Sequence, residues 1–128
     1  MRMLLDTHIF LWASGKDEKL RAGLRAELQG GAHDIFVSAA SAWEIAIKHA
    51  SGRLAFPVRK WQEMLTNLGF AELPITPAHG LEAGALPRHH LDPFDRMLVA
   101  QARIEGLALV TEDRVLHHYD VTIFCLPA

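Results

Sequence analysis

Residues 35–50 have the sequence IFVSAASAWEIAIKHA, in which a short apolar strand is followed directly by a helix. Ile35, Phe36 and Val37 are β-branched or aromatic, which is typical of a buried strand. Ser38 suits the N-cap position, so the sequence predicts a helix over 39–50 that ends before Ser51-Gly52. A strand followed by a helix is the repeating unit of an α/β fold.

The same alternation continues along the chain in both directions. We expect strands at 3–5, 35–37, 70–73, 107–110 and 121–124. We expect helices at 17–29, 39–50, 58–68, 77–84 and 93–105, a helical turn at 113–118 and a loop at 86–92. This order predicts one α/β domain over residues 1–128, with a mainly parallel central sheet flanked by helices.

Length and composition exclude several classes of protein. The 128 residues fit one domain, and 50% hydrophobic residues with 22% charged residues exclude a disordered chain. The single cysteine, Cys125, excludes an internal disulfide and favours a reducing cytoplasm. The apolar run before Asp6 is too short for a signal peptide, and no apolar stretch reaches 18 residues. We therefore expect a cytoplasmic protein that does not contact a membrane.

Charge is distributed unevenly between the two halves of the chain. The net charge of −2 argues against nucleic-acid binding by bulk electrostatics. Residues 1–64 carry nine Lys and Arg against seven Asp and Glu, whereas residues 65–128 carry four against eight. The first half can therefore supply phosphate contacts, and the second half can supply carboxylates.

Three aspartates are predicted near one edge of the sheet. Asp6 ends the first strand and Asp113 follows the strand at 107–110, and ligands of parallel sheets bind beyond the carboxyl ends of the strands. Asp95 falls in the first turn of the helix at 93–105, behind the N-cap signal of Asp92-Pro93. Each aspartate also has a structural explanation, because acidic residues cap helices and favour their first turns.

Glu44 belongs to a narrow polar stripe on the helix at 39–50. Ser41, Glu44 and Lys48 form this stripe, and the remaining positions are mostly apolar. A helix of this composition is expected to be buried on most sides, with its stripe facing solvent or a site. The simpler alternative is an exposed Glu44–Lys48 ion pair worth only ~0.3–0.5 kcal/mol.

Four carboxylates from separate elements would repel one another without a counter-charge. Asp6, Glu44, Asp95 and Asp113 are these four. A divalent cation such as Mg²⁺ or Mn²⁺ removes the conflict, because hard cations prefer oxygen ligands. Such a cation can activate water and stabilise an oxyanion at phosphorus, which is phosphodiester chemistry.

Several runs of residues, in this order, carry a resemblance to a known family. They are Leu4-Leu5-Asp6-Thr7-His8, Trp43-Glu44-Ile45-Ala46-Ile47-Lys48, Leu86-Pro87-Arg88-His89-His90, Asp92-Pro93-Phe94-Asp95-Arg96 and Val110-Thr111-Glu112-Asp113. The chain resembles the PIN-domain ribonucleases, specifically the toxin component of VapBC-type toxin–antitoxin pairs. One departure is Leu116, where the family often has Phe, and we expect it to alter packing rather than chemistry.

The resemblance implies roles for particular residues. Asp6 and Asp95 match the metal-binding aspartates, Glu44 completes the cluster and Asp113 matches the fourth acidic position. Thr7 and Thr111 match polar positions that orient these groups. The resemblance further implies Mg²⁺- or Mn²⁺-dependent cleavage of RNA, a homodimer, and a small antitoxin whose tail enters the acidic groove.

Basic and apolar side chains suggest contacts beyond the acidic cluster. The candidates for RNA phosphate contacts are Lys48, Arg53, His89, His90 and Arg96, and the alternative for each is a solvated surface charge. Large apolar groups at 10–12 and 58–68 are core residues or, where exposed, a surface for a second copy or an antitoxin helix.

Two other functions remain to be compared with the nuclease. A haloacid-dehalogenase-like phosphatase needs a second aspartate two residues after Asp6, and His8 stands there instead. A catalytically inactive PIN-fold module that binds RNA or a partner peptide is the remaining alternative. Retention of all four acidic positions favours the enzyme over this module.

Overall fold

The computed structural model describes residues 1–15 and 18–124. Its strands are β1 (Arg2–Leu5), β2 (Asp34–Ser38), β3 (Ala71–Leu73) and β4 (Ala108–Val110). Its α-helices are α1 (Thr7–Ser14), α2 (Ala22–Gln29), α3 (Ala39–Ala50), α4 (Trp61–Leu68), α5 (Pro77–Ala85) and α6 (Pro93–Glu105). Short 3₁₀ helices cover Val58–Lys60 and Arg114–His118. Within these residues, no helix is both long enough and apolar enough to cross a bilayer.

The four strands form one parallel sheet in the order β3-β2-β1-β4. Leu5, the last residue of β1, pairs with Val37 on one side and with Val110 on the other. The carboxyl ends of β2, β1 and β4 are therefore level with one another. The prediction of an α/β domain with a parallel sheet is confirmed.

Both faces of the sheet are covered, as expected for parallel strands. Met3 and Leu5 point to one side, where they belong to a core shared with α1, α2 and α4. Leu4 points to the opposite side and packs in a second core with residues of α6 and β4. This burial on two faces holds the strand ends, and the side chains that follow them, in fixed positions.

Side-chain caps place two helices where the sequence predicts them. The Ser38 Oγ atom accepts a hydrogen bond from the Ala40 N–H at 2.9 Å, and α3 starts at Ala39. The Asp92 Oδ1 atom accepts from the Phe94 N–H at 2.8 Å, and α6 starts at Pro93. The predicted helices at 39–50 and 93–105 are thus confirmed with the same bounds.

Two predicted elements differ from the structure. The helix predicted over 17–29 starts only at Ala22, and Asp17 lies outside the described residues. Leu20 is buried, but it lies in a bend before the helix. The four-residue spacing from Leu20 to Leu24 therefore marks two core residues and does not indicate a helix at Leu20. Cys125 also lies outside the described residues.

The strand predicted over 121–124 is reduced to a single parallel bridge between Leu109 and Ile123. Leu109 forms both hydrogen bonds to this segment, donating to the Thr122 carbonyl at 2.8 Å and accepting from the Phe124 N–H at 2.9 Å. One residue of ladder is too short to make a strand.

Helix α1 was anticipated only through the cap signal at Asp6-Thr7.

Candidate metal-binding active site

Asp6 leaves the end of β1 and begins α1. Its Oδ1 atom accepts a hydrogen bond from the Ile9 N–H at 2.8 Å, so the structural role of a helix cap is real. Burial raises the pKa of Asp6 above its ordinary value, and the nearby Asp113 charge raises it further. Hydrogen bonds from Thr111 and from the Ile9 backbone act in the opposite direction on this pKa.

Thr111 connects the aspartates that follow β1 and β4. It bonds to the Asp6 side chain, and its Oγ1 atom accepts a hydrogen bond from the Asp113 N–H at 3.1 Å. A single buried hydroxyl thus orients both residues, in agreement with the role implied for it by resemblance. Asp113 itself caps the following 3₁₀ helix through its Oδ1 atom, which accepts from the Val115 N–H at 3.0 Å.

Asp95 lies in the first turn of α6 and faces the same edge of the sheet. The pKa of Asp95 is raised to about 7, first by burial and then by the charge of Asp92. Asp6 and Glu44 raise this pKa as well, which places their carboxylates within electrostatic reach of Asp95. The structure therefore brings together the four acidic residues predicted from the sequence.

His90 lies inside this acidic cluster. Its Nε2 atom is 3.0 Å from Asp95 Oδ2 and 3.3 Å from Asp113 Oδ2. Ligand atoms of these three residues all lie within 4.8 Å of one another, as in sites that hold a metal ion. The sequence suggested His90 only as a phosphate contact, whereas in the structure its side chain lies between the carboxylates of Asp95 and Asp113.

Tyr119 holds the backbone of His90, and sequence reasoning did not single it out. The Tyr119 hydroxyl accepts a hydrogen bond from the His90 N–H at 2.9 Å and donates to the His90 carbonyl at 3.3 Å. The two residues are 29 positions apart in the chain. A lone tyrosine after a helical turn gives no local signal for such a contact.

Glu44 is buried at 6% exposure, although its helix turns large apolar groups outward. Its Oε2 atom pairs with Lys48 Nζ at 3.0 Å, whereas its buried Oε1 atom has no hydrogen-bond partner among the described residues. The ion pair considered from the sequence is therefore present, but its carboxylate is buried rather than exposed.

The expectation that α3 is buried on most sides is wrong. Trp43 is 63% exposed and Ile47 is 40% exposed, while the polar stripe faces the protein interior. One reason is the buried hydrogen bond of 2.9 Å between Thr7 Oγ1 and Ser41 Oγ, which ties this stripe to the start of α1. Thr7 thus joins α1 to α3, and within residues 1–15 and 18–124 its hydroxyl makes no hydrogen bond to a carboxylate.

Arg96 does not face the acidic cluster as a phosphate contact would. Its guanidinium donates to backbone carbonyls of the loop before α6 and the end of α5, namely those of Ala83, Gly84, Leu86, Pro87 and His90, at 2.9–3.5 Å. Both Nη atoms are used in these bonds, so the predicted RNA contact is corrected to a structural role. Arg96 holds the loop that carries His90.

The remaining predicted RNA contacts lie at the surface. Arg53 is exposed, and its Nε atom donates to Ser51 Oγ at 2.9 Å. Lys48 and Arg53 line the same cleft as Glu44. His89 is exposed and packs edge-on against the Tyr119 ring, with centroids 5.1 Å apart.

The residues present fit a divalent cation. The Glu44 Oε1 atom is a buried anionic oxygen without a donor, and such an atom is costly unless a cation or a ligand satisfies it. Burial first, and then the charges of neighbouring carboxylates, raise the pKa values of Asp6 and Asp95. Carboxylate oxygens suit Mg²⁺ and Mn²⁺.

These features define a class of protein: an α/β domain with a parallel sheet that gathers carboxylates at its strand ends in a candidate metal-binding cluster. The chain belongs to the PIN domain family, whose profile matches residues 3–121. It is similar to Ribonuclease VapC22 of Mycobacterium tuberculosis, with 33% identity over 120 residues covering 91% of each chain. The family suggested by the sequence motifs is therefore confirmed.

Solved structures with lower sequence identity share the fold. The VapBC2 complex of Rickettsia felis, bound to a DNA fragment from its promoter, contains a chain with a TM-score of 0.66 and 17% identity, covering 96% of both chains. FitAcB of Neisseria gonorrhoeae gives a TM-score of 0.66 and 18% identity over 98% of this chain and 97% of that one. A toxin–antitoxin complex from Klebsiella pneumoniae gives a TM-score of 0.61 and 19% identity, and the match covers 87% of this chain and 86% of that one.

Proposed function

We propose that this protein is a Mg²⁺- or Mn²⁺-dependent endoribonuclease and the toxin of a toxin–antitoxin pair. The observation that carries the proposal is the meeting of Asp6, Glu44, Asp95 and Asp113 at the carboxyl edge of the sheet, with one buried Glu44 oxygen left without a partner. The likeness to a ribonuclease over 91% of the chain supports RNA as the substrate.

Each acidic residue has a distinct task in this proposal. Asp6 and Asp95 hold the cation, and Glu44 takes up a proton from the attacking water as general base. Asp113 orients a water or a second cation, and Thr111 and His90 hold it in place. When bound, the cation lowers the pKa of water and stabilises negative charge on the phosphate. Hydrolysis leaves a 3′-hydroxyl and a 5′-phosphate.

Lys48 and Arg53 are the basic groups best placed to contact phosphates beside the cleavage site. Both line the cleft that Glu44 enters. The Lys48 Nζ atom lies 3.0 Å from Glu44 Oε2. When a phosphate binds, Lys48 would exchange this carboxylate partner for a phosphate oxygen. Because RNA is present in the cytoplasm, the proposal places the protein there.

The proposed partners are a small antitoxin protein and a second copy of this chain. Solved structures with this fold include a toxin–antitoxin complex from Klebsiella pneumoniae and VapBC2 of Rickettsia felis bound to a DNA fragment from its promoter. A cavity of about 520 Å³ beside α1 and α4 offers apolar walls, which include Leu11, Trp12, Phe56 and Met64. Because Lys19, Lys48 and Arg53 also line this cavity, it suits an amphipathic partner helix that carries acidic side chains beside its apolar face.

Cleavage of cellular RNA by purified protein tests the proposal. Protein freed from any antitoxin is incubated with a mixed RNA pool in Mg²⁺ or Mn²⁺, beside EDTA and the Asp6→Asn variant. We expect cutting that needs the metal and is lost in Asp6→Asn, with 5′-phosphate ends. Absence of cutting by folded protein in both metals would contradict the enzyme and favour a binding module.

A further inference from the structure

Two aromatic rings stand at the surface immediately beside the acidic cluster. Trp43 precedes Glu44 in α3, and Phe94 precedes Asp95 in α6. Their ring centroids are 5.3 Å apart at an interplanar angle of 72°, an edge-to-face contact. Trp43 is nevertheless 63% exposed. The elements that carry two of the carboxylates thus also carry a partly solvated aromatic pair.

A cleft of about 330 Å³ is lined by Phe94 of this pair, by Glu44 of the acidic cluster and by Asp92, and Trp43 stands beside the cleft in contact with Phe94. Phe94 lines the cleft on the aromatic side, and Glu44 lines it on the acidic side. Lys48 and Arg53 are its basic residues. An aromatic ring, two cations and a buried carboxylate of the proposed active site therefore share one depression of the surface.

This combination fits single-stranded RNA better than it fits a protein surface. Proteins that bind unpaired nucleic acid combine basic groups along the backbone with aromatic rings on which bases stack. The cores of protein–protein interfaces are also rich in aromatic residues and arginine, but they are depleted in lysine and in acidic residues, and this cleft contains Lys48, Glu44 and Asp92. A base pair inside a duplex offers no free face to the rings, so duplex RNA does not fit.

We propose that Trp43 and Phe94 form a stacking platform for an unpaired base next to the cleaved phosphate, while Lys48 and Arg53 contact the phosphates around it. This inference rests on the proposed ribonuclease function and specifies the form of its substrate. Trp43 supplies the exposed ring, and Phe94 fixes its orientation through the edge-to-face contact. The platform confines cleavage to unpaired segments.

Binding of a short unpaired oligoribonucleotide of mixed sequence tests the platform. The Asp6→Asn protein is used in EDTA so that the RNA stays intact. Trp43→Ala is added and should weaken binding by about tenfold or more, since stacking on one aromatic ring is worth ~1–3 kcal/mol. Trp43→Phe should retain most of the affinity. Leu81→Ala removes an equally exposed apolar group on α5 and should change nothing.

Fluorine NMR of protein labelled with 5-fluorotryptophan gives a second measurement. The chain has three tryptophans, so three resonances are expected, and Trp→Phe variants assign them. The Trp43 resonance should shift on addition of the oligoribonucleotide and much less on addition of the matching duplex. The resonances of Trp12 and Trp61 should stay in place.

Three outcomes would overturn the inference. Unchanged RNA affinity in Trp43→Ala would remove the platform, provided that the wild-type protein cleaves RNA. Conversion of a dimer into a monomer by Trp43→Ala, measured by light scattering, would assign the face to a second copy. Loss of antitoxin binding with intact RNA binding would assign it to the antitoxin. A wild-type protein that neither binds nor cleaves RNA would instead refute the proposed function itself.

Discussion

The Nε2 atom of His90 lies 3.0 Å from the Oδ2 atom of Asp95. The Nδ1 atom on the other side of the ring accepts a hydrogen bond from the Asp92 N–H at 3.3 Å, so Nε2 carries the hydrogen. That hydrogen can be shared with Asp113, whose Oδ2 atom is 3.3 Å away. One imidazole therefore joins two crowded carboxylates and lowers the pKa of Asp95 against the effect of burial.

Replacing His90 should separate these two carboxylates. In His90→Ala, we expect metal affinity and RNA cleavage to fall by about 10- to 100-fold, the usual effect of removing a group that orients a metal ligand. Calorimetric titration with Mn²⁺ and cleavage rates measure the two effects. His117→Ala is the control, because His117 is an exposed histidine that is not one of the candidate RNA contacts. Equal losses in both variants would refute a specific role for His90.

The raised pKa of Asp95 predicts how the stability of the metal-free protein depends on pH. The pKa is about 7 in the folded protein and near 3.8 when the chain is unfolded. Between these values the folded state binds more protons, so the free energy of unfolding falls as pH rises from about 4 to about 7. Above pH 7 this contribution is lost. Thermal unfolding in EDTA across this range measures it.

The Asp95→Asn variant provides the control for this pH dependence. Asparagine does not titrate, so the loss of stability between pH 5 and pH 7.5 should become smaller, with a residual slope from Asp6, whose pKa is also raised. Mn²⁺ should stabilise the wild-type protein more at pH 7.5 than at pH 5, because protons compete with the cation. An identical slope in wild type and variant would contradict the assignment.

Arg96 should affect stability more than RNA binding. Its fork of donors holds several carbonyls of the loop before α6, a geometry that lysine cannot reproduce. We expect Arg96→Lys to lower the free energy of unfolding by about 2 kcal/mol, within the range for hydrogen bonds to a charged group. Arg103→Lys is the control on the same helix, where a surface ion pair with Glu82 is worth little. Unchanged stability in Arg96→Lys would contradict the structural role of Arg96 and favour the phosphate contact that the sequence predicts.

The parts of the molecule that follow from local chemistry could be predicted from the sequence. Ser38 and Asp92 cap α3 and α6 by accepting hydrogen bonds from N–H groups two residues ahead, so the sequence predicts where both helices start. Asp6 and Asp113 follow strands whose ends are level in a parallel sheet, so the sequence also predicts that these two aspartates lie close together.

The parts that depend on contacts distant in the chain could not be predicted in the same way. The position of His90 depends on Tyr119 and Arg96, and no local pattern specifies that the loop folds over the carboxylates. The prediction that α3 is buried on most sides is wrong, because Trp43 faces solvent, whereas the polar stripe faces the site, which is one of the two alternatives that the sequence left open. The usual rule for amphipathic helices fails where a catalytic group needs the interior.

Glu44 offers the sharpest separation of activity from stability. Glu44→Gln keeps the shape of the side chain but removes a buried charge whose Oε1 atom has no donor. We expect RNA cleavage to fall by about 100- to 10,000-fold, as for loss of a general base, together with weaker metal binding. The free energy of unfolding in EDTA should not fall, because the variant removes both a desolvated charge and its repulsion with Asp95. Glu112→Gln is the control, since Glu112 is exposed at the same edge in an ion pair with Arg21. A parallel loss of stability and activity in Glu44→Gln would make Glu44 a structural residue.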